Sequence, residues 1–181
     1  MKTVKIPSFF RELFGDTQRW FEIIATLCFA VFATAIVLVS TLNMWVELGI
    51  IKMSLLILLY LDITGGLIAN LSFGTNQYYS ASVKRRLVFI AIHIQPLLLA
   101  YIFHDIIWIC IGVWGYTIFS TLLVNNYYGH ESQRVLGGFL LFSGLIGLLL
   151  IQEIPVVAQI LLIFFMIKVI FSFGVNHYES R

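Results

Sequence analysis

Three ionisable side chains stand within long apolar stretches of this sequence: Asp62, His93 and Lys168. Charged groups inside an apolar stretch are costly, and where they occur they usually mark a functional site or pair with one another. At a rise of about 1.5 Å per helical residue, the three positions fall within about one helical turn of the same depth. The spacing predicts an Asp62–Lys168 ion pair that offsets much of the cost of each charge, with His93 as a hydrogen-bond partner or proton acceptor.

The residues next to these charges add polar atoms and irregular backbone. Gly65 and Gly66 follow Asp62 by about one helical turn, and Pro96 follows His93 inside the same apolar stretch. Proline frees a backbone carbonyl and bends a helix, and broken helices beside polar groups form the midplane sites of many transporters. A purely structural polar clamp between helices is the alternative interpretation. The predicted substrate-binding set is Asp62, Asn70, His93, Gln95 and Lys168.

A short motif recurs along the chain. The sequence SFGTNQY at 72–78 returns as SFGVNHY at 172–178, and a related Asn-Tyr-Tyr stands halfway between them at 126–128. One interpretation is structural, because a glycine after a helix takes the left-handed conformation that ends it, while Tyr suits the headgroup boundary. The other is a ring around a cytoplasmic mouth, formed by Asn76, Tyr78, Asn126, Tyr128, Asn176 and Tyr178. The recurrence also predicts tandem units of two helices each.

The composition indicates which elements position these residues. The chain has 181 residues, of which 60% are hydrophobic and 11% are charged, and its mean hydropathy is +0.97. A soluble domain carries about 25% charged residues, and a membrane-spanning helix needs roughly 20 predominantly apolar ones. Six stretches meet that need: 20–43, 50–73, 86–104, 106–124, 135–152 and 154–175. The sequence therefore predicts an all-α polytopic membrane protein with six transmembrane helices, arranged as three tandem helical hairpins.

Positive charge is distributed unevenly between the two sides of this six-span arrangement. Of the 11 lysines and arginines, only Lys52 and Lys168 fall away from the side that holds the N- and C-termini. Because positively charged loops stay inside, we expect both termini to be cytoplasmic and the protein to lie in the plasma membrane. Residues 6–14 have the spacing of a short interfacial helix, or of a simple aromatic lead-in to the first span. The predicted parts are a cytoplasmic segment 1–19, a transmembrane domain 20–175 and a cytoplasmic tail 176–181.

Several chemistries lack their sequence signatures. The four histidines are dispersed, and Cys28 and Cys110 stand apart in two different apolar stretches. The sequence contains no HExxH, GxSxG or Gly-Lys-Ser/Thr motif of the zinc proteases, serine hydrolases and P-loop proteins. We therefore expect no metal site and no cofactor. The net charge of +2 gives no indication of binding to nucleic acid, and we expect no such partner.

Three functional hypotheses remain, and the sequence leaves open whether the protein is an enzyme. The preferred one is a small permease or channel that moves a small solute or ion through the midplane polar site. The alternatives are an intramembrane enzyme acting on a lipid or isoprenoid substrate, and an accessory or immunity subunit of a larger membrane complex. The expected partners are membrane lipids, a small-molecule or lipid substrate, and further copies of the chain or a partner membrane subunit. The surroundings of Asp62 distinguish the three hypotheses. A water-filled cavity around Asp62 would indicate transport, and a lateral opening to lipid would indicate an enzyme. A dry site in which Asp62 is fully paired would indicate an accessory subunit.

Overall fold

The computed structural model describes residues 3–178, and most of them are helical. The α-helices are α1 (Arg11–Phe14), α2 (Trp20–Ser40), α3 (Leu42–Glu47), α4 (Gly49–Leu71), α5 (Phe73–Ser80), α6 (Val83–Ile92), α7 (Gln95–Ile102), α8 (Ile107–Asn126), α9 (Gln133–Leu149) and α10 (Val156–Met166). A π-helix, Ile167–Phe173, continues α10. Short 3-10 helices occupy Ser8–Phe10 and His104–Ile106. The strands β1 (Thr3–Lys5) and β2 (Thr17–Arg19) pair antiparallel near the N-terminus.

Five helical segments are long and apolar enough to cross a membrane: Trp20–Ser40, Gly49–Leu71, Val83–Ile102, His104–Asn126 and Val156–Phe173. The apolar helix α9 has 17 residues and is shorter than these. Large apolar side chains such as Phe32, Trp108 and Val135 are exposed on the sides of the bundle, as expected where helices face lipid. The prediction of an all-α integral membrane protein is therefore confirmed. The sixth span, the hairpin repeat, the side of the termini and the plasma membrane as location stay predictions.

Helix α2 packs on α4 through small side chains. Ala30 and Thr34 are buried on this face, and the Thr34 hydroxyl donates to the Ala30 carbonyl oxygen at 2.7 Å. A Cβ added at Gly65 of α4 would meet the Ala30 Cβ at 3.4 Å, so the two helices are in close contact here. Small residues permit such an approach between membrane helices. The small-residue face of α2 thus packs within this protein.

One end of the bundle carries most of the positive charge, and we call it the cationic end. The starts of α2, α6 and α9 and the ends of α4, α8 and the π-helix meet there. Arg86 at the start of α6 donates to Asn125 Oδ1 at 2.8 Å, and Gln133 at the start of α9 donates to the Gly174 carbonyl at 3.0 Å. Its described cationic residues are Lys5, Arg11, Arg19, Lys84, Arg85, Arg86 and Arg134, whereas Lys2 and Arg181 lie outside the described residues.

Residues 3–19, the N-terminal segment, fold back onto α5 at the cationic end. Of the stretch 6–14, residues 8–14 are helical, as the 3-10 turn and α1, and they are enclosed between β1 and β2. A position of this stretch at the membrane interface stays a prediction. Three hydrogen bonds hold the segment in place. The Thr75 hydroxyl donates to the Leu13 carbonyl and the Tyr79 hydroxyl to the Glu12 carbonyl, each at 2.8 Å, and Gln18 Nε2 donates to the Ser72 hydroxyl.

Two glycines allow this docking by their lack of a side chain. A Cβ on Gly74 would lie 2.1 Å from the Thr17 carbonyl oxygen, and one on Gly15 would lie 2.2 Å from the Gly74 oxygen. The expectation that Gly74 and Gly174 end helices in the left-handed conformation is wrong. Within residues 3–178 the positive φ angles belong to Gly15, Gly49 and Gly129, whereas Gly174 has a φ of −63°.

Candidate functional site

An ion pair joins α4 to the π-helix in the apolar part of the bundle. Lys168 Nζ lies 3.0 Å from Asp62 Oδ2 and also donates to the Asp62 main-chain oxygen at 3.3 Å. The pair expected from the matching depths is therefore present. It fixes the last part of α10 and its π-helical continuation against the middle of α4.

Local backbone features let Lys168 reach across. In the π-helix the Gly174 N–H donates to the Val169 carbonyl at 3.2 Å, five residues back, which is the wide-turn pattern often found at functional positions. On the other side, Gly66 leaves room for the lysine stem, because a Cβ there would stand 2.4 Å from Lys168 Cε and 2.8 Å from its Nζ. Gly66 follows Asp62 by four residues, so both lie on the same face of α4. That spacing was a usable signal for the role of this glycine.

The two charged side chains differ sharply in exposure. The Lys168 side chain is 4% exposed, whereas that of Asp62 is 51% exposed. Asp62 continues an outward-facing line on α4 that includes Ser54 and Leu58. Gln95, at the start of α7, donates from Nε2 to the same Asp62 Oδ2 at 2.9 Å. The Asp62 carboxylate therefore lies on the lateral surface of the bundle, between α4 and α7, whereas the Lys168 ammonium that pairs with it is buried inside the bundle.

The interruption expected near Pro96 is present, since α6 ends at Ile92 and α7 begins at Gln95. His93 stands in the gap, is 4% exposed, and exposes its carbonyl to the indole N–H of Trp114, which donates at 3.1 Å. The His93 carbonyl, which stands in the gap between the helices, thereby gains a partner. The carbonyl that Pro96 frees four residues earlier, that of Ile92, accepts from the Ile94 N–H at 2.9 Å.

The His93 ring belongs to an aromatic stack. It packs on the Phe89 ring with centroids 3.8 Å apart, and Phe89 in turn stacks on Phe173 at 3.7 Å. The ring nitrogen Nδ1 bonds the Phe89 carbonyl. Within residues 3–178 its side chain makes no hydrogen bond to Asp62 or Lys168. The structure thus brings Asp62, Gln95 and Lys168 into one hydrogen-bonded group and gives His93 a packing role beside it.

Asn70 lies on α4 two turns beyond Asp62, closer to the cationic end, and is not part of the Asp62, Gln95 and Lys168 group. It is 3% exposed, and its Nδ2 has no hydrogen-bond partner among the described residues. It lines a small cavity together with Asn76, Arg86 and Tyr128. The free space of about 10 Å³ is enough for one water molecule.

The two copies of the recurring motif contact each other at the cationic end. Asn76 Nδ2 donates to the Val175 carbonyl at 3.4 Å, and the Tyr178 hydroxyl donates to the Leu71 carbonyl at 2.9 Å. The Phe73 and Tyr178 rings meet edge to face at 5.2 Å. Asn176 uses its own Oδ1 to accept from the Tyr178 N–H at 3.2 Å. These contacts hold the end of α4 and the start of α5 against the residues that follow the π-helix.

The middle copy is organised around Arg86, which the sequence indicates only as one of the positive charges on the side of the termini. Arg86 is 7% exposed, and its guanidinium lies 3.8 Å from the centre of the Tyr128 ring. The Tyr128 hydroxyl bonds the Ser80 hydroxyl. Asn126 is exposed, and its neighbour Asn125 is the residue that binds Arg86. Tyr78 packs its ring under Arg85 at 4.1 Å. The six Asn and Tyr side chains are therefore in unequal environments.

His177 is the titratable group at the cationic end with the clearest environment. Its Nε2 lies 3.2 Å from the carbonyl oxygens of Phe171 and Ser172, so the neutral ring donates from that nitrogen. Burial lowers the pKa of His177 from its ordinary value, and the positive charge of Arg134 lowers it further, while the two carbonyl bonds act in the opposite direction.

The site has the chemistry of a hydrogen-bonded carboxylate rather than of a metal centre. Within the part of the chain that the structure describes, no group of three or more His, Cys, Asp or Glu residues is placed to hold a metal ion. Asp62 Oδ2 is occupied by two donors, and Oδ1 makes no hydrogen bond to any described residue. Asp62 Oδ1 is therefore a hydrogen-bond acceptor without a described partner, on a side chain that faces outward from the apolar part of the bundle. No protein-family model matches this chain, and no curated protein or solved structure matches it either.

Proposed function

We propose that this protein is a membrane-embedded binding subunit that recognises a transmembrane helix of another protein through Asp62 and Gln95. The observation that carries the proposal is the contrast within the ion pair, where Lys168 is 4% and Asp62 51% exposed. A half-exposed carboxylate is costly next to hydrocarbon. A hydrogen-bond donor on a partner helix would satisfy the free carboxylate oxygen and remove that cost.

The depth of Asp62 favours a helix over a lipid head group as the donor. Asp62 lies nine residues before Leu71, the last residue of α4, which corresponds to about 14 Å along the helix. The hydrocarbon core of a bilayer is about 30 Å thick, so the carboxylate is close to its middle. Head groups lie at the edges of that layer. Polar groups at its middle are carried by transmembrane segments.

The charges favour a different protein over a second copy of this chain. Two copies meeting at Asp62 would place two carboxylates together. The described spans contain three lysines. Lys168 is buried, Lys52 donates to the Ile102 carbonyl at 3.2 Å toward one end, and Lys84 stands at the start of Val83–Ile102, at the cationic end, so none is free at the depth of Asp62. The expected partner helix therefore supplies its own Lys, Arg, Ser or Thr near mid-depth.

Site-specific photo-crosslinking in cells tests the proposal. A photoreactive residue at Leu58, which is exposed one turn from Asp62, should give an adduct whose mapped peptide is a transmembrane segment with a donor at matching depth. The same probe at Val135, exposed on α9, is the control. Asp62→Asn should reduce the Leu58 adduct at least about tenfold, and so should removal of the mapped donor. Adducts that survive both changes, or that form equally at Val135, would contradict the proposal.

Transport is a second candidate. The gap between α6 and α7 at His93 and the π-helix around Lys168 adjoin the same polar group, and irregular helices of this kind support substrate sites in transporters. On this view Asp62 exchanges Lys168 for a proton or a small cation. Purified protein in proteoliposomes should then conduct protons or alkali cations, and Asp62→Asn should abolish the flux. The lateral exposure of Asp62 also agrees with the intramembrane-enzyme hypothesis. That hypothesis stays a prediction, because the His93 ring expected as the second acid–base group bonds the Phe89 carbonyl instead.

A further inference from the structure

A second site lies at the cationic end, separate from Asp62. A pocket of about 230 Å³ opens between the N-terminal segment and the start of α6. Its polar lining includes Glu12, Ser82, Lys84 and Arg85, and its apolar lining includes Val88 and Ile92. We propose that this pocket binds a phospholipid with an ethanolamine head group, whose phosphate contacts Lys84 and Arg85 and whose ammonium faces Glu12.

Arg85 is held in a defined position at the pocket. Its guanidinium stacks over the Tyr78 ring at 4.1 Å, and one of its N–H groups donates to the Tyr78 carbonyl at 3.1 Å. A guanidinium has five donors, so further N–H groups remain for a phosphate. Lys84 lines the same pocket and makes no hydrogen bond to residues 3–178. Two adjacent cations, one of them fixed, match the negative phosphodiester.

The apolar wall indicates a lipid and not a soluble phosphate compound. Val88 and Ile92 are exposed by 47% and 53%, and they stand one and two turns beyond Arg85 on α6. Helix α6 is the first part of the spanning segment Val83–Ile102. The pocket therefore leads from a polar floor at the membrane boundary along an apolar face into the bilayer. An amphiphile with its phosphate at the floor and an acyl chain along α6 fits this order.

Glu12 determines the head group. It is an exposed carboxylate in a pocket that otherwise offers positive charge. A head group with a second negative charge would be repelled by it, whereas the ammonium of an ethanolamine would be attracted. The pocket thus matches a zwitterion, with positive protein groups on one side and a negative group on the other. This assignment does not depend on the proposed role of Asp62.

Native mass spectrometry of the delipidated full-length protein tests the assignment. Phosphatidylethanolamine should bind at least about tenfold more tightly to the wild type than to the Lys84→Gln/Arg85→Gln variant. The control is Arg134→Gln, which removes a cation of the same end outside the pocket and should leave the affinity unchanged. Equal binding by wild type and double variant, with unchanged melting temperatures, would overturn the proposal. If the double variant unfolds, the single Lys84→Gln change decides, with at least about threefold weaker binding expected.

Two further arms identify the source of the phosphate and the role of Glu12. Soluble glycerophosphoethanolamine should not compete with the lipid for the pocket. If it competes effectively, the ligand is a soluble phosphate compound and the assignment to a lipid is wrong. Phosphatidylglycerol should bind more weakly than phosphatidylethanolamine, and Glu12→Gln should remove this preference. Equal binding of both lipids to the wild type would overturn the assignment of the head group.

Discussion

Gly66 is the position where a single methyl group should disturb the ion pair of Asp62 with the buried Lys168. In Gly66→Ala the new Cβ would fall 2.4 Å from Lys168 Cε and 2.8 Å from Nζ, so the end of the lysine side chain has to shift, and we expect the shift to break its bond to Asp62. Gly65→Ala is the matched control, because its Cβ meets only the Ala30 Cβ, at an ordinary 3.4 Å. Both changes gain the same helix propensity, about 1 kcal/mol, and this gain cancels in their difference.

The difference in stability between the two variants follows from what Lys168 loses. Breaking a buried ion pair costs about 3–5 kcal/mol, and because Asp62 is half exposed we expect roughly half of that, about 2 kcal/mol. For a chain of this size, such a difference corresponds to a melting temperature lower by about 4–8 °C.

Intrinsic tryptophan fluorescence of the purified variants in one detergent measures this difference. In a Lys168→Ala background, which removes the colliding atoms, the two alanine variants should melt within about 2 °C of each other, since no ammonium is left to displace. Equal melting temperatures of Gly66→Ala and Gly65→Ala in the wild-type background would refute the claim that Gly66 makes room for the lysine.

The remaining predictions concern the ion pair, the N-terminal segment and pH. Asp62→Asn combined with Lys168→Met should destabilise the protein less than the sum of the two single changes by at least about 1 kcal/mol, because no buried charge is left unpaired; additive melting shifts would exclude the coupling. Gly74→Ala forces Cβ against backbone and should raise hydrogen exchange throughout the N-terminal segment, whereas Gly138→Ala, with only an ordinary contact at 3.9 Å, should not. The lowered pKa of His177 means that the folded state favours the neutral ring, so its stabilising contribution is full above about pH 6.5 and declines as the pH falls. The melting temperature between pH 8 and pH 5 should therefore fall further for the wild type than for His177→Gln, and parallel curves would contradict this.

Features that depend on position along a helix were predictable from the sequence. The rise per residue fixes depth, so Asp62 and Lys168 were expected to meet, and they do. Proline chemistry is equally local, and the chain is interrupted just before Pro96 as expected. These predictions need no knowledge of how the helices are rotated.

Features that depend on rotation and on distant contacts were not predictable. In an almost wholly apolar helix, no polar face indicates which side turns outward, and the exposure of Asp62 in line with Leu58 is seen only in the packed structure. His93 looked like a third member of the charged group, but its ring stacks on Phe89, a contact that spacing does not reveal. The docking of the N-terminal segment depends on contacts more than 50 residues apart, such as that of Gln18 with Ser72.

That docking constrains how the chain enters the bilayer during synthesis. The N-terminal segment is synthesised before the surface that receives it, which is completed only when Ser72 to Tyr79 have been made. The intervening residues must therefore cross the membrane an even number of times and return to their starting side. Whichever side the N-terminus takes, a failure of α4 to cross would leave the N-terminal segment and its docking surface on opposite sides of the membrane. The docked N-terminal segment therefore indicates that the first helices have inserted correctly, because it can form only after α4 has crossed back to the side of the N-terminus.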